Sequence, residues 1–356
     1  MLIGVRVLAL QLFVILPGCG APETVESGES ARNEGPVTVE RHLAAMGTWL
    51  ELEIGGADRS VALAASEAAV LAIEGVESRL STWRDDTELA RLNAHPVGRS
   101  FVLTPALAGD LGRVRELVRE TRGAFDPVVA PLVSAWGLRS GGRQPSDLEL
   151  REALASSGFR HLHIAEGRAQ RLKAGAALEE GGFGKGIGLD AAVRAALGRG
   201  ASVGRIDLGG QVVLFGESPS ASAFGLVHPE HRDEVVAEVT LSGGSLATSG
   251  NSERGISVDG ERQSHILDPR TGLLVHDFGS LTVWAPDATR ADALSTALYV
   301  MGPERALAFG EAEADCEVVC LIRKEGRIEI QATSGWSSRI RTVSPSASLL
   351  EHWRTR

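Results

Sequence analysis

The chain has 356 residues, of which 43% are hydrophobic, so it can bury a substantial core, and general disorder is excluded. Its formal net charge is −10 and no basic stripe occurs. This excludes a nucleic-acid partner, because phosphate binding requires clustered positive charge. Lysine occurs only at Lys173, Lys185 and Lys324, so the position of each lysine is informative.

The amino terminus resembles an export signal. Residues 1–18 contain an apolar run that is shorter than the roughly 20 residues of a membrane-spanning helix. Leu16–Cys19 resembles a bacterial lipobox, in which the signal is removed before a cysteine that then carries lipid. We therefore predict a protein anchored through lipidated Cys19 to the bacterial cell membrane, facing the periplasm or the cell exterior. An ordinary signal peptide cleaved elsewhere is the alternative, and it also predicts export.

Residues 19–37 are acidic and small, which predicts a flexible linker between the lipid and the folded domain. The domain itself is predicted to span residues 38–336. The Ser/Arg-rich residues 337–356 are predicted to form a peripheral tail.

Capping residues and apolar periodicity predict several helices and two hairpins within the domain. The predicted helices are Arg59–Leu80 after the cap Asp58, one that starts at Thr104-Pro105, Ser146–Ser157, 189–199, 290–301 and 304–313. The predicted hairpins turn at Glu166-Gly167 and Glu325-Gly326. Because helices and strands mix without regular alternation, we predict an α+β fold with mixed, largely antiparallel sheet layers flanked by helices.

A glycine-rich stretch, residues 181–188, surrounds Lys185 and leads into a predicted helix. Bare backbone N–H groups beside a helix amino terminus form an anion cradle, and a lysine adds a compact positive charge. The spacing fits neither a Walker A loop nor a dinucleotide GxGxxG loop. A tight loop that simply requires glycine dihedrals is the alternative.

Asp292 and Thr296 lie four residues apart at a predicted helix start, so they share one helical face. A carboxylate and a hydroxyl suit Mg²⁺, with a substrate phosphate filling other coordination positions. Alternatively, Thr289 and Asp292 form a capping box. The two interpretations are compatible.

Taken in order, several segments resemble the ApbE family of FAD:protein FMN transferases. The resemblance covers roughly residues 40–335. The segments are Met46-Gly47-Thr48, Ser81-Thr82-Trp83, Glu88–Asn93, Gly123–Pro127, Trp136-Gly137, the glycine–lysine stretch, Leu208-Gly209-Gly210, Ala247–Asn251, His265–Gly272 and Asp292–Ala297.

The resemblance implies a Mg²⁺-dependent transferase with FAD as its substrate. The acceptor would be an exported flavoprotein, whose Thr or Ser hydroxyl receives FMN through a phosphoester bond while AMP is released. Two alternatives use the same site. One is an FAD pyrophosphatase that releases FMN and AMP, and the other is a lipoprotein that binds FAD without chemistry.

The resemblance also implies the site residues. The residues implied to contact FAD are Met46, Trp83, Ala124, Phe125, Asp126, Glu179, Lys185 and His265. The implied metal ligands are Asp292, Thr296 and the backbone carbonyl of Gly182. Asp292 and His265 are the implied catalytic residues, with His265 as the candidate general base; in the alternative, His265 is structural. Glu179 stands where the family usually has Asp.

Overall fold

The computed structural model describes residues 36–216, 221–251, 255–258 and 261–350. The predicted signal peptide, Cys19 and the linker up to residue 35 lie outside the described residues. From Pro36 onward the chain forms one compact unit. Among the described residues, no helix combines the length and the apolar character that crossing a membrane requires.

The structure contains eight α-helices in its described part. They are α1 (Arg59–Leu80), α2 (Glu88–Ala94), α3 (Pro105–Glu120), α4 (Ala130–Ala135), α5 (Asp147–Ser156), α6 (Gly184–Leu197), α7 (Ala288–Met301) and α8 (Pro303–Ala312).

The strands of the described residues, in chain order, are β1 (Val37–Ala45), β2 (Thr48–Gly56), β3 (Ser100–Val102), β4 (Leu162–Ala165), β5 (Arg168–Arg171), β6 (Ala201–Leu208), β7 (Gln211–Gly216), β8 (Ser222–Val227), β9 (Val235–Leu241), β10 (Gly244–Gly250), β11 (Ile256–Val258), β12 (Glu261–Gln263), β13 (Gly279–Ala285), β14 (Glu317–Lys324), β15 (Arg327–Ala332), β16 (Ile340–Thr342) and β17 (Ala347–Leu350).

A nine-stranded sheet with the order β1-β2-β6-β7-β10-β13-β14-β15-β17 forms the centre of the fold. Every neighbouring pair in it is antiparallel except β15 and β17, which are parallel. Smaller sheets have the orders β16-β9-β8, β3-β5-β4 and β11-β12. The predicted α+β fold with largely antiparallel sheets is confirmed.

Helices with local capping signals begin where the sequence predicts. The side chain of Asp58 accepts the N–H of Val61 at 2.9 Å and caps α1. Thr104 caps α3 in the same way, with Pro105 in its first turn. Ser146 caps α5 through a reciprocal capping box with Glu149. Each cap satisfies backbone donors that the helix itself leaves unpaired.

The core lies mainly between the large sheet and the helices α1, α6 and α7. One buried cluster packs α1 and α6 against the strands β2 and β6. A second cluster surrounds α7, whose residues are nearly all buried, and includes Phe125 and Phe183. The sheet and these two packed layers therefore hold α6 and α7 side by side.

The helix predicted at 189–199 begins earlier, at Gly184, so Lys185 lies in its first turn. The glycine at 186 explains how α6 approaches α7 so closely. A Cβ at Gly186 would lie 2.4 Å from the carbonyl oxygen of Ala288 and 2.6 Å from Thr289 Cα. Both are backbone atoms and cannot rotate away, so only glycine fits at this crossing.

Substituting Gly186 tests this crossing directly. Gly186→Ala should lower the free energy of unfolding by about 3 kcal/mol, the upper end of ordinary overpacking costs, as measured by urea denaturation. Gly181→Ala is the matched control, because a Cβ at Gly181 meets nothing within 4 Å. If the two variants have the same free energy of unfolding, α6 and α7 can move apart enough to accept a methyl group at residue 186.

Part of the segment predicted as a peripheral tail is paired in sheets. The strand β16 pairs antiparallel with β9, and β17 pairs parallel with β15 at the edge of the large sheet. Residues 340–350 therefore contribute backbone pairing to the domain, which the Ser/Arg-rich composition does not indicate.

Candidate functional site

The helix α7 carries the predicted metal-binding pair on consecutive turns. Asp292 is only 4% exposed, and its Oδ2 accepts the backbone N–H of Gly186 at 3.0 Å. The hydroxyl of Thr296 lies 3.4 Å from the carbonyl oxygen of Asp292. The carboxylate is thus directed at the glycine-rich start of α6.

The amino terminus of α7 is capped without Asp292. Asp287 is the N-cap, and its side chain accepts the N–H of Arg290 at 2.9 Å. Asp190 of α6 accepts the N–H groups of Ala288 and Thr289 at 2.8 and 3.0 Å. The alternative that pairs Thr289 with Asp292 in a capping box is therefore wrong.

The loop before α6 brings Gly182 against the same part of α7. A Cβ at Gly182 would lie 3.3 Å from Thr296 Oγ1 and 3.2 Å from Phe125 Cε2. The absence of a side chain lets the loop backbone approach the threonine hydroxyl closely. The backbone of Gly182 therefore lies beside Thr296, one helical turn from Asp292.

These donors are a carboxylate, a hydroxyl and a backbone carbonyl, which are the hard oxygen ligands that Mg²⁺ prefers. Within the described ranges, no group of three or more His, Cys, Asp or Glu side chains is arranged to hold a metal ion. A cation here would be held by few protein ligands. That arrangement is typical of Mg²⁺ sites completed by water and substrate phosphates.

Lys185 faces the carboxylate of Asp292, with 3.9 Å between Nζ and Oδ1. Burial raises the pKa of Asp292, while the Lys185 ammonium and the N–H of Gly186 act in the opposite direction. Burial also raises the pKa of Asp207, and Lys185 is one of the cations that lower it. Lys185 is thus placed among carboxylates at the start of α6, with its side chain 33% exposed.

Met46 lies in the turn between β1 and β2 and contacts the same end of α6. Its backbone is left-handed, with φ at 50°, and its N–H donates to Glu77 Oε2 at 3.0 Å. A Cβ at Gly188 would lie 3.1 Å from Met46 Sδ. The predicted FAD contact Met46 is therefore near Lys185.

Trp83 presents an exposed ring beside the loop that precedes α6, since 69% of its surface is accessible. The guanidinium carbon of Arg139 lies 4.3 Å from the ring centroid, and Arg139 also bonds to Glu179 and to Thr82. Burial raises the pKa of Glu179, and Arg139 opposes this. The predicted FAD contact Glu179 is thus anchored by Arg139, which lies outside the motifs found in the sequence.

Ala124 and Phe125 are buried, and Phe125 packs edge-on against Phe183, with 6.4 Å between ring centroids. The carboxylate of Asp126 accepts the N–H groups of Val128 and Phe159 at 2.9 and 2.7 Å. Burial raises its pKa, and the two N–H donors lower it. The Asp126 side chain therefore holds the local loop in shape.

His265 is joined to α7 through Asn251, which ends the segment Ala247–Asn251, and through Tyr299, which lies outside the motifs. Its Nδ1 lies 3.1 Å from Asn251 Oδ1, and Asn251 Nδ2 donates to the hydroxyl of Tyr299 at 3.0 Å. Tyr299 is the only tyrosine in the chain and lies seven residues after Asp292. That spacing returns to the same helical face, and it is the signal that could have identified Tyr299.

The chain is similar in sequence to a known protein family. A model of the ApbE family matches residues 46–320. The FAD:protein FMN transferase of Treponema pallidum (strain Nichols) is 30% identical over 300 residues, which cover 79% of this chain and 82% of that protein.

Two solved structures share the fold. The ApbE protein of Thermotoga maritima superposes with a TM-score of 0.77 at 28% identity, covering 84% of this chain and 98% of that one. The flavin transferase ApbE of Vibrio cholerae gives a TM-score of 0.73 at 27% identity, covering 86% and 100%. The family model and the 30% identical relative, together with the shared fold, show that the chain belongs to the ApbE family.

Proposed function

We propose that this chain is a Mg²⁺-dependent FAD:protein FMN transferase that modifies a Thr or Ser hydroxyl of an exported flavoprotein and releases AMP. The observation that carries the proposal is the 3.9 Å approach of Lys185 Nζ to the buried carboxylate of Asp292, beside Thr296 and Gly182. A cation and a lysine side by side suit the two phosphates of a dinucleotide. The relative from Treponema pallidum bears the name of this activity.

Each residue has a distinct part in the proposed reaction. Asp292, Thr296 and the carbonyl of Gly182 would hold Mg²⁺, which when bound supplies charge neutralisation for the diphosphate. Lys185 binds a phosphate oxygen. Positioning and charge stabilisation provide most of the acceleration in phosphoryl transfer.

The bond changes follow from the products. The acceptor hydroxyl oxygen attacks the flavin-side phosphorus, the bond from this phosphorus to the bridging oxygen breaks, and AMP leaves with that oxygen. The hydroxyl proton passes to His265. Trp83 offers an exposed ring on which a flavin or adenine ring can stack.

Export and lipid attachment at Cys19 complete the proposal. The lipobox-like segment Leu16–Cys19 supports it, as does the acidic linker that follows. The enzyme would then act from the bacterial cell membrane on flavoproteins at the periplasmic or external side.

Incubation with FAD, MgCl₂ and an exported flavoprotein that carries a Thr flavinylation site tests the activity. Mass spectrometry should show FMN added to the acceptor, with AMP formed in equal amount, and EDTA should stop both. An acceptor with that threonine replaced by alanine is the control. Free FMN with AMP would instead identify a pyrophosphatase, and intact bound FAD would identify a binding protein.

Removing the lysine should weaken flavin binding. Lys185→Ala should raise the Kd for FAD by about tenfold or more, because a hydrogen bond to a charged group contributes about 1.5–3 kcal/mol. Quenching of flavin fluorescence measures this Kd. Lys173→Ala is the matched control, since Lys173 is exposed two residues after the end of β5. If both variants bind FAD equally well, Lys185 does not contact the phosphates.

A further inference from the structure

Asn251 has a fixed amide orientation. It is 3% exposed, and its Oδ1 lies 3.2 Å from the backbone nitrogen of His265 and 3.0 Å from Ser264 Oγ. A backbone N–H can only donate, so the atom that faces it must be the amide oxygen. The amide nitrogen then faces Tyr299, to whose hydroxyl it donates at 3.0 Å.

This orientation determines where the proton of His265 lies. The ring nitrogen Nδ1 lies 3.1 Å from the same Asn251 oxygen, and an amide oxygen carries no proton to donate. The contact is attractive only when Nδ1 is protonated. In the neutral imidazole the lone pair is then on Nε2.

The hydrogen-bond chain continues in one direction beyond Asn251. Because Tyr299 accepts from the amide, its own proton is directed to Asp277 Oδ1 at 3.1 Å, with the carbonyl of Gly279 next at 3.4 Å. Asp277 forms an ion pair with Arg323 at 3.0 Å. Burial and Asp277 raise the pKa of Tyr299, so the phenol keeps its proton. In this chain the Asn251 amide and the Tyr299 hydroxyl therefore both donate in the direction of Asp277.

We propose that Asn251, fixed by Tyr299 and Asp277, is a positioning residue that sets the tautomer of His265, with the proton on Nδ1 and the basic lone pair on Nε2. The tautomer assignment does not depend on the proposed function; its effect on the rate of FMN transfer rests on that function. When Nε2 accepts the acceptor's proton, the imidazolium still donates from Nδ1 to Asn251. The aligned chain that ends at the Asp277 carboxylate stabilises this positive charge.

The tautomer can be observed without any turnover. In ¹⁵N-histidine-labelled protein at a pH where imidazole is neutral, long-range proton–nitrogen spectra distinguish the protonated from the bare ring nitrogen, and His265→Gln assigns the signals. We expect the Nδ1–H form in the wild-type protein. In Asn251→Leu we expect a shift towards the Nε2–H form. A wild-type His265 in the Nε2–H form overturns the proposal, as does an unchanged tautomer in Asn251→Leu.

Tyr299→Phe provides a second variant that retains the ring stacked on Phe278, with 4.4 Å between centroids. It should lower kcat by about 10–100-fold, the usual cost of losing an outer-shell partner, with little change in KM, and it should increase the Nε2–H population. Thr282→Val is the matched control, since it removes another buried hydroxyl, which bonds to Thr248. Equal kcat and equal tautomer populations in the two variants overturn the role of Tyr299.

The spectra and the kinetics separate the two proposals. If wild-type protein shows the Nδ1–H form but transfers no FMN, the proposed function fails and the assignment of Asn251 is supported. If FMN is transferred while the imidazole is in the Nε2–H form, the assignment fails and the function is supported.

Discussion

Asp292→Asn should lower the rate of Mg²⁺-dependent FMN transfer by more than about 100-fold. Loss of a residue that only supports a metal ligand lowers metal affinity by up to about 100-fold, and Asp292 is proposed to be a ligand itself. The amide retains the shape of the side chain and an oxygen for the N–H of Gly186, which Oδ2 accepts in the wild type, but it removes the negative charge. Steady-state rates over a range of MgCl₂ concentrations measure the effect. A parallel measurement is the rise in Tm that Mg²⁺ produces, which the variant should lose.

Asp287→Asn is the control for this experiment because it makes the same chemical change at the N-cap of α7. Asn caps a helix as well as Asp does, so activity and stability should stay close to those of the wild type. If Asp292→Asn retains the wild-type dependence on Mg²⁺, this carboxylate is not a metal ligand and serves only to hold α6 against α7.

His265→Gln should lower kcat by about 10²–10⁴-fold, the usual contribution of general base catalysis. Glutamine is polar and of similar length but cannot accept a proton at neutral pH. The remaining rate should rise with hydroxide concentration, because solvent then has to deprotonate the acceptor hydroxyl. Single-turnover measurements with FAD-saturated enzyme across a pH series isolate this step from flavin binding.

The matched control is His163→Gln, since His163 is exposed on β4. A kcat for His265→Gln equal to that of this control would leave orientation and charge stabilisation as the source of catalysis. His265 would then be a structural residue that connects its loop to Asn251.

The sequence predicts those parts of the fold that depend on local interactions. Asp58 and Thr104 cap helices within their own first turns, and the hairpin of β4 and β5 needs only the turn at Glu166-Gly167. The order of the large sheet is different, because β6 inserts beside β2 after more than a hundred intervening residues. Pairing at such separations depends on tertiary packing that no local pattern encodes.

The candidate site also combines residues that local motifs indicate with residues that only tertiary packing brings together. Lys185 and Asp292 were selected from motifs, and the structure brings them together. Arg139 and Tyr299 were missed because their partners lie far away in the chain, although the seven-residue spacing from Asp292 could have identified Tyr299. The capping alternative at Asp292 failed because α7 begins at Ala288 after the N-cap Asp287, two residues before the start that a Thr289 cap requires.

Because Asp292 and Tyr299 lie on the same helix, α7 sets the distance between the proposed cation site and the hydrogen-bond chain that leads to His265. Seven residues correspond to about 10 Å along the helix axis. Inserting a single residue between them would turn one side chain by about 100° relative to the other. The loops of the site can therefore vary in length during evolution, whereas an insertion or deletion in this stretch of α7 would move Asp292 out of register with the hydrogen-bond chain of Tyr299.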